Sequence, residues 1–201
     1  YSKGVFPWTG EEPIPWFSPD PRMILRPTDF KVRRSLRKRR RAAGFEVRFD
    51  VAFERVVAGC ATTERPGQDG TWIVEAMPIV WAQLYRQGLA HSVSTWDGDQ
   101  LVGGLYGLSL GAAFFGESMF AIRPDASKLA LWALCEALAV RSFHFIDCQQ
   151  ETGHLASLGA APISRLDYLD RLDVALSLPS ITGAWRGSPE THHSNGVSND
   201  D

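Results

Sequence analysis

The stretch that decides the fold runs from residue 101 to residue 149 and contains three segments: LVGGLYGLSLGAAFFGESMF (101–120), DASKLALWALCEALAV (125–140) and FHFIDCQ (143–149). The first segment has the glycine-punctuated pattern of two strands. The second is apolar on nearly every side, as a buried helix is, and the third is typical of a short apolar strand with a polar end. This order predicts a β-β-α-β core.

Three polar side chains occur in this apolar stretch, where burial would ordinarily exclude them. Glu117 interrupts a strand of aromatic and small residues, and Asp147 and Gln149 come at the end of the third segment. Because successive strand residues point to opposite faces, Asp147 and Gln149 are predicted to share one face and Cys148 to lie on the other. We therefore expect three polar groups to converge on one sheet.

The composition fits one main domain. The 201 residues are 44% hydrophobic, which is enough for one good core. Cys60, Cys135 and Cys148 are an odd number without a CxxC pair, so neither a disulfide framework nor a zinc site is indicated, and a reducing compartment is expected. No apolar run reaches the roughly 18 residues of a membrane span, so we expect a soluble, cytoplasmic protein.

Charge is concentrated in one short segment. The net charge is only -2, yet residues 31–41 hold eight basic residues and no acid, which predicts a single surface that faces a polyanion. A helix is predicted over residues 30–43, capped by Thr28 or Asp29 and ended by Gly44. One face of this helix carries four cations at i, i+3, i+4 and i+7: Arg34, Arg37, Lys38 and Arg41. Four like charges repel, which favours an anionic partner over a merely solvated face.

The remaining pattern places further elements and divides the chain. Predicted strands cover residues 45–53, 90–96, 100–108 and 161–164; predicted helices cover 54–60, 74–89, 152–157 and 165–172. The Asp97-Gly98 pair is typical of a hairpin turn. Residues 1–27 are rich in Pro and Trp and are predicted to be an irregular segment with one short strand. We expect a Pro/Trp-rich segment and basic helix (1–44), a catalytic core (45–180) and a disordered tail (181–201).

Local chemistry alone leaves few alternatives. A cysteine nucleophile built from Cys148, Asp147 and His154, or a metal site from the same residues, is disfavoured because Cys148 and Asp147 point to opposite faces. His192 and His193 have no partner ligands in the tail, so no metal is expected.

Nine strings occur in a fixed order: FPW (6–8), WFSPDPR (16–22), GTW (70–72), LVGGLYG (101–107), FFGESMF (114–120), DASK (125–128), IDCQ (146–149), HLASLGA (154–160) and ISR (163–165). With these strings, residues 1–172 resemble the leucyl/phenylalanyl-tRNA–protein transferase family. The resemblance implies an α+β, acetyltransferase-like (GNAT-type) core with a mixed, mostly antiparallel sheet flanked by helices. Because the resemblance begins in mid-motif and Tyr1 is not methionine, we expect a further N-terminal portion.

The resemblance also implies an activity. The family moves leucine, phenylalanine or methionine from aminoacyl-tRNA to the N-terminal Arg or Lys of acceptor proteins, which marks them for N-end-rule degradation. Asp147 with Gln149 would orient the attacking α-amine and assist its deprotonation, and Glu117 would hold the α-ammonium of the aminoacyl group. For Glu117 a structural salt bridge remains the alternative. No cofactor, metal or DNA is implied, and a monomer is expected.

Two further groups of residues would complete the substrate site. Trp8 and Trp72 are candidates for stacking on the terminal adenosine, with burial in the core as the alternative for each. The basic helix would bind phosphates of the tRNA acceptor stem. An apolar slot for the transferred side chain could form from six residues that could equally be plain core: Leu105, Phe114, Leu131, Leu134, Leu138 and Ile146. Leucine at helix positions where phenylalanine was expected leaves the preferred amino acid open.

Two other functions compete with this hypothesis. An acetyl-CoA-dependent N-acetyltransferase would need an R/Q-x-x-G-x-G/A turn before the central helix, and RPDASK (123–128) is not one. A non-catalytic tRNA-binding module would account for the basic helix but would give Asp147, Gln149 and Glu117 no function.

Overall fold

A computed structural model describes residues 1–7, 13–41, 44–62 and 77–186. The predictions for Trp8, Trp72 and the tail from residue 187 onward lie outside the described residues. In chain order the elements are β1 (Phe6–Pro7), β2 (Trp16–Phe17), β3 (Arg22–Leu25), α1 (Arg34–Arg41), β4 (Phe45–Phe49), α2 (Phe53–Thr62), α3 (Met77–Arg86), β5 (Ala90–Asp97), β6 (Gln100–Leu110), β7 (Ala113–Ala121), α4 (Ala126–Val140), β8 (Phe145–Asp147), α5 (Gly153–Ser157), β9 (Ala161–Ile163) and α6 (Arg165–Leu176).

The described residues form a seven-stranded sheet in the order β4-β5-β6-β7-β8-β3-β9, and β1 pairs separately with β2. Within the larger sheet, β7 and β8 are parallel and the other described pairs are antiparallel. The α+β class and the mostly antiparallel sheet are therefore confirmed. The predicted β-β-α-β unit corresponds to β6, β7, α4 and β8.

Helices cover both faces of this sheet because its central strands are apolar on both sides. Strand alternation sends Tyr106 and Phe115 into one apolar cluster, shared with α2, α3 and α6. It sends Leu105 and Phe114 into a second cluster, shared with α4. Helix α4 can lie close to the sheet at Gly103, where a Cβ atom would come within 2.6 Å of the Ala126 Cβ.

Several predicted boundaries are wrong, and the helix predicted to reach residue 89 ends at Arg86. Residues Pro27–Asp29 form a 3-10 turn, and helix α1 begins only at Arg34. The strand predicted to reach residue 53 ends at Phe49, because buried Asp50 takes a positive φ of 52° and accepts a hydrogen bond from the Ser92 amide. The last predicted helix is longer than expected and continues to Leu176.

Within residues 181–186, which the prediction assigns to the tail, Trp185 packs against the core and the other five residues are exposed. The Trp185 side chain is only 3% exposed, and its ring stacks on that of His91 with centroids 3.8 Å apart. Its amide donates to Asp50 Oδ2 at 2.7 Å. Asp50 thus joins Trp185 to β5, where its Oδ2 also lies 2.9 Å from the His91 Nδ1.

Among the described helices, none has both the length and the apolar content that crossing a membrane requires.

Candidate active site

Glu117 lies at a β-bulge in β7. Tyr106 pairs with Ser118, whereas the next residue, Gly107, pairs with Gly116, so Glu117 is the extra residue between them. A bulge changes the direction of a side chain relative to the regular strand. Gly107 permits this close approach, since a Cβ atom there would lie 2.1 Å from a backbone carbonyl oxygen of β7.

The Glu117 carboxyl is buried, with 6% of the residue exposed. The Tyr1 hydroxyl donates to its Oε2, and the side-chain amide of Gln149 approaches the same oxygen at 3.5 Å. Its Oε1 has no hydrogen-bond partner among the described residues. Burial raises the pKa of Glu117 to about 7, although the hydrogen bonds from Tyr1 and Gln149 act in the opposite direction. The carboxyl therefore has a pKa near neutrality and one buried oxygen without a described hydrogen-bond partner.

Asp147, in contrast, is already occupied by the protein. It is fully buried at the end of β8 and accepts Arg22 Nε at 2.8 Å on Oδ1 and Arg22 Nη2 at 2.6 Å on Oδ2. The Tyr168 hydroxyl donates to Oδ2 at 2.8 Å, and the Gln149 amide donates to Oδ1 at 2.9 Å. Four donors satisfy this carboxylate, which has roughly four acceptor sites.

The shared face predicted for Asp147 and Gln149 assumes a regular strand through both residues. Strand β8 ends at Asp147, and Gln149 takes a positive φ of 63°, so strand alternation no longer applies to it. The turn is stabilised because the Asp147 side chain accepts the backbone amide two residues later, a common local motif for aspartate. The Gln149 side chain thereby points towards Glu117.

The six predicted slot residues do come together. They are buried in the apolar cluster between the sheet and α4, which also contains Met23, Leu25 and Val93 from the neighbouring strands. The six are Leu105, Phe114, Leu131, Leu134, Leu138 and Ile146. Glu117 lies on β7, which also supplies Phe114, but its partner Tyr1 packs against Trp81 and Phe115 of the other apolar cluster.

The cysteine and metal alternatives receive no support from the geometry. Burial raises the pKa of the Cys148 thiol, which disfavours the reactive thiolate. His154 lies on α5 and is exposed. No group of three His, Cys, Asp or Glu side chains in the described ranges is arranged to hold a metal ion.

The predicted basic stripe lies on α1. Helix α1 is held to α4 through Arg40, whose guanidinium makes two bonds of 2.7 and 2.8 Å to Glu136 and lies over the Trp132 ring. The four cations of the stripe are exposed to solvent: Arg34, Arg37, Lys38 and Arg41. They form a positively charged surface next to the central helix.

Sequence patterns missed the other side chains at this site. Arg22 contacts Asp147 across 125 residues, and Tyr1 contacts Glu117 across 116. Arg22 does end the string WFSPDPR, but nothing in its local pattern indicates burial. Charged side chains are almost never fully buried unless paired, so its role became recognisable only with its partner in place.

Comparison with known proteins adds independent information. A profile of the family described as leucyl/phenylalanyl-tRNA protein transferase matches residues 24–173. The chain is 52% identical over 186 residues to a leucyl/phenylalanyl-tRNA–protein transferase of Ralstonia pickettii (strain 12J), covering 90% of this chain and 75% of that protein. It is 50% identical over 187 residues to a protein of the same name from Anaeromyxobacter dehalogenans (strain 2CP-C), covering 92% and 80%.

A third relative of the same name comes from Chromohalobacter salexigens and is 50% identical over 199 residues, covering 98% of this chain and 77% of that protein. A solved structure of a functionally unknown conserved protein from Staphylococcus epidermidis is 8% identical, with a TM-score of 0.43 and coverage of 71% and 57%. That structural similarity is too low to support an argument about the fold.

Proposed function

The chain belongs to the leucyl/phenylalanyl-tRNA–protein transferase family, and from this premise we propose that it moves leucine, phenylalanine or methionine from aminoacyl-tRNA to the N-terminal Arg or Lys of acceptor proteins. Such transfer would mark the acceptor for N-end-rule degradation. The observation that carries the proposal is the buried Glu117 carboxyl, which Gln149 approaches and whose Oε1 has no hydrogen-bond partner among the described residues, in a chain of this family.

The reaction places modest demands on the protein. The α-amine of the acceptor attacks the ester carbonyl carbon of the aminoacyl-tRNA, a C–N bond forms, and the C–O bond to the terminal ribose breaks. The amine loses a proton, and the ribose hydroxyl gains one. Because the ester is already activated, correct positioning of the two substrates can supply roughly 7–11 kcal/mol of the barrier reduction.

Glu117 is suited to hold the α-ammonium of the aminoacyl group. Its free Oε1 can accept a charge-assisted hydrogen bond, and the ion pair would offset the cost of burying the carboxylate. The pKa of about 7 means that a bound cation is needed to keep this group fully ionised at neutral pH. A structural salt bridge, the alternative considered for Glu117, has no cationic side chain at the described contacts of this carboxylate.

Gln149 is the residue that we place against the attacking amine. Its Nε2 lies towards Glu117, which leaves its Oε1 to accept a hydrogen from the amine. Asp147 belongs to the same catalytic unit but acts through Gln149, since its carboxylate is buried and occupied by four donors. In the relay that the family resemblance implies, Gln149 therefore contacts the amine and Asp147 orients Gln149.

The apolar cluster would receive the transferred side chain, and α1 would bind the tRNA. The slot is lined on α4 by leucine at residues 131, 134 and 138, and on the sheet by Leu105, Phe114 and Ile146. The four exposed cations on α1 would contact phosphates of the acceptor stem. Such contacts position the nucleic acid but do not depend on its base sequence. Trp8 and Trp72 stay candidates for stacking on the terminal adenosine.

Three finer features complete the proposal. The core is of the acetyltransferase (GNAT) type, a view supported by the parallel pair β7–β8 joined through α4 in an otherwise antiparallel sheet. The protein acts as a monomer. It acts in the cytoplasm, where aminoacyl-tRNA is found.

Incubation with radiolabelled leucyl-tRNA and a peptide that begins with arginine tests the function directly. We expect label in the peptide, and Gln149→Ala should lower turnover on the order of 10²-fold or more, as for loss of proton-transfer assistance. Gln150→Ala, at the neighbouring position, is the matched control and should retain turnover. Absence of transfer by wild-type protein, with tRNA binding intact, would leave only a tRNA-binding module.

A peptide series beginning with Arg, Lys, Ala and Glu tests the acceptor. Arg and Lys should react and Ala and Glu should not. Equal rates across the four peptides would contradict a cationic acceptor. Acetyl-CoA as the alternative donor should give no product.

A further inference from the structure

One buried guanidinium contacts both segments that reach Glu117. Arg22 is fully buried on β3 and uses Nε and Nη2 to bind the Asp147 carboxylate. Its third nitrogen, Nη1, donates to the Gly4 carbonyl oxygen at 3.1 Å. Gly4 belongs to the loop that carries Tyr1, and Asp147 begins the turn that carries Gln149.

The first of these segments, the loop of residues 1–4, packs against α6. The Gly4 amide donates to the Tyr1 carbonyl at 2.8 Å, so the two residues form one tight loop. Gly4 has a positive φ of 73°, and a Cβ atom there would come within 2.6 Å of the Leu169 side chain. This loop therefore sits directly on α6, and the Tyr1 hydroxyl reaches Glu117 from it.

The second segment is fixed by the same guanidinium from the other side. The Asp147 Oδ1 that accepts Arg22 Nε also accepts the Gln149 amide. The orientation of the carboxylate thus sets the turn that directs Gln149 towards Glu117.

The guanidinium itself has little freedom to move. Its Cζ lies 4.7 Å from the centre of the Phe6 ring and 4.4 Å from that of Tyr168, so aromatic rings pack against it. The Tyr168 hydroxyl donates to Asp147 and lies 3.3 Å from Arg22 Nη2. Arg22, Tyr168 and Asp147 are consequently one rigid unit.

Such a buried ion pair is a poor device for stability alone, because well-packed apolar residues of the same volume often stabilise a core as well or better. The planar guanidinium of arginine, with its five N–H donors, does however fix the orientation of the groups that it binds, which apolar packing cannot do. We propose that Arg22, supported by Tyr168, is a positioning residue of the transfer reaction, which sets Tyr1 and Gln149 relative to Glu117. It contacts no substrate, and its role rests on the proposed function.

Arg22→Lys is the first test, because it keeps the positive charge and removes the fork. The leucyl transfer assay should show kcat lowered about 10²-fold, the loss that a displacement of about 1 Å can cause, with an unchanged far-UV circular dichroism spectrum. The matched control is Arg48→Lys, which alters another two-bond pair, with Glu46 on strand β4, and should retain wild-type kcat.

A double-mutant comparison separates positioning from a general loss of structure. If Arg22 acts through Gln149, Arg22→Lys should lower kcat little further in a Gln149→Ala background, since residues that act as a unit are non-additive. A purely structural effect would multiply with the Gln149→Ala effect instead. Multiplying effects, or wild-type kcat in folded Arg22→Lys, would overturn the proposal.

Tyr168→Phe provides a second route if Arg22→Lys does not fold. It removes only the hydroxyl that bonds Asp147, and we expect kcat lowered roughly 10-fold, again non-additively with Gln149→Ala. Wild-type kcat in folded Tyr168→Phe would overturn the proposal in that case. Lack of leucyl transfer by the wild-type protein is a different outcome, which refutes the proposed function itself.

Discussion

Replacing Glu117 with glutamine removes a buried carboxyl whose pKa burial raises from 4.5 to about 7. A group with a raised pKa in the folded state binds its proton more tightly there than in the unfolded chain. Its contribution to stability is therefore complete below a pH of about 4.5 and is lost as the pH rises through about 7. At about 1.4 kcal/mol per pH unit, wild-type protein should lose up to roughly 3 kcal/mol relative to Glu117→Gln across this interval.

Urea unfolding followed by circular dichroism, at several pH values between 4.5 and 8, measures this difference. The quantity to plot is the free energy of unfolding of wild type minus that of Glu117→Gln, which should fall as the pH rises. Glu54→Gln, at an exposed position on α2, is the control for loss of a carboxylate. A difference that stays constant with pH, or one that varies as much in Glu54→Gln, would refute the reasoning.

The same substitution has a kinetic consequence. Only ionised Glu117 can hold the donor ammonium, so wild-type kcat/KM for leucyl-tRNA should decline as the pH falls through about 7. Glu117→Gln should raise the donor KM more than it lowers kcat, and the part of the pH profile that belongs to Glu117 should disappear. An unchanged profile in the variant would assign that ionisation to another group.

Three other variants have measurable outcomes. Asp147→Asn leaves its arginine partner buried without an anion and should cost about 3–5 kcal/mol of unfolding free energy in urea; a cost within error of zero would contradict the buried ion pair. Reversing Arg34 and Lys38 to glutamate should weaken tRNA binding and flatten its salt dependence while a minimal aminoacyl-adenosine donor still reacts; an unchanged salt slope would place the tRNA surface elsewhere. Gly107→Ala puts a Cβ atom 2.1 Å from a backbone oxygen at the bulge. The substitution should lower the free energy of unfolding by about 1–3 kcal/mol, measured by thermal unfolding. A variant as stable as the wild type would contradict this close approach.

Features that depend on local periodicity could be predicted from the sequence. The order of β6, β7, α4 and β8 follows from apolar runs and glycines within about fifty residues, and the hairpin between β5 and β6 from Asp97-Gly98. The exposed face of α1 follows from the spacing of its cations. The common burial of the slot residues likewise follows from strand and helix periods, since each period fixes which side chains share a face.

Features of the site that depend on distant partners could not be predicted in this way. Strict alternation placed Gln149 beside Asp147, but a carboxylate that captures the amide two residues later ends the strand and turns Gln149 towards Glu117. The bulge that directs Glu117 arises from the pairing of β6 with β7, and neither strand encodes it alone.

The amino-acid sequence by itself thus determined the class of the fold, its central unit and the residues from which a site could be made, because these depend on short-range spacing. Only the tertiary structure decided the position of β3 between β8 and β9, which brings Arg22 to Asp147 across 125 residues. The physical reason is that a buried charge is tolerated only where its partners are already in place. Those partners are gathered by the sheet as a whole, and no local pattern records them.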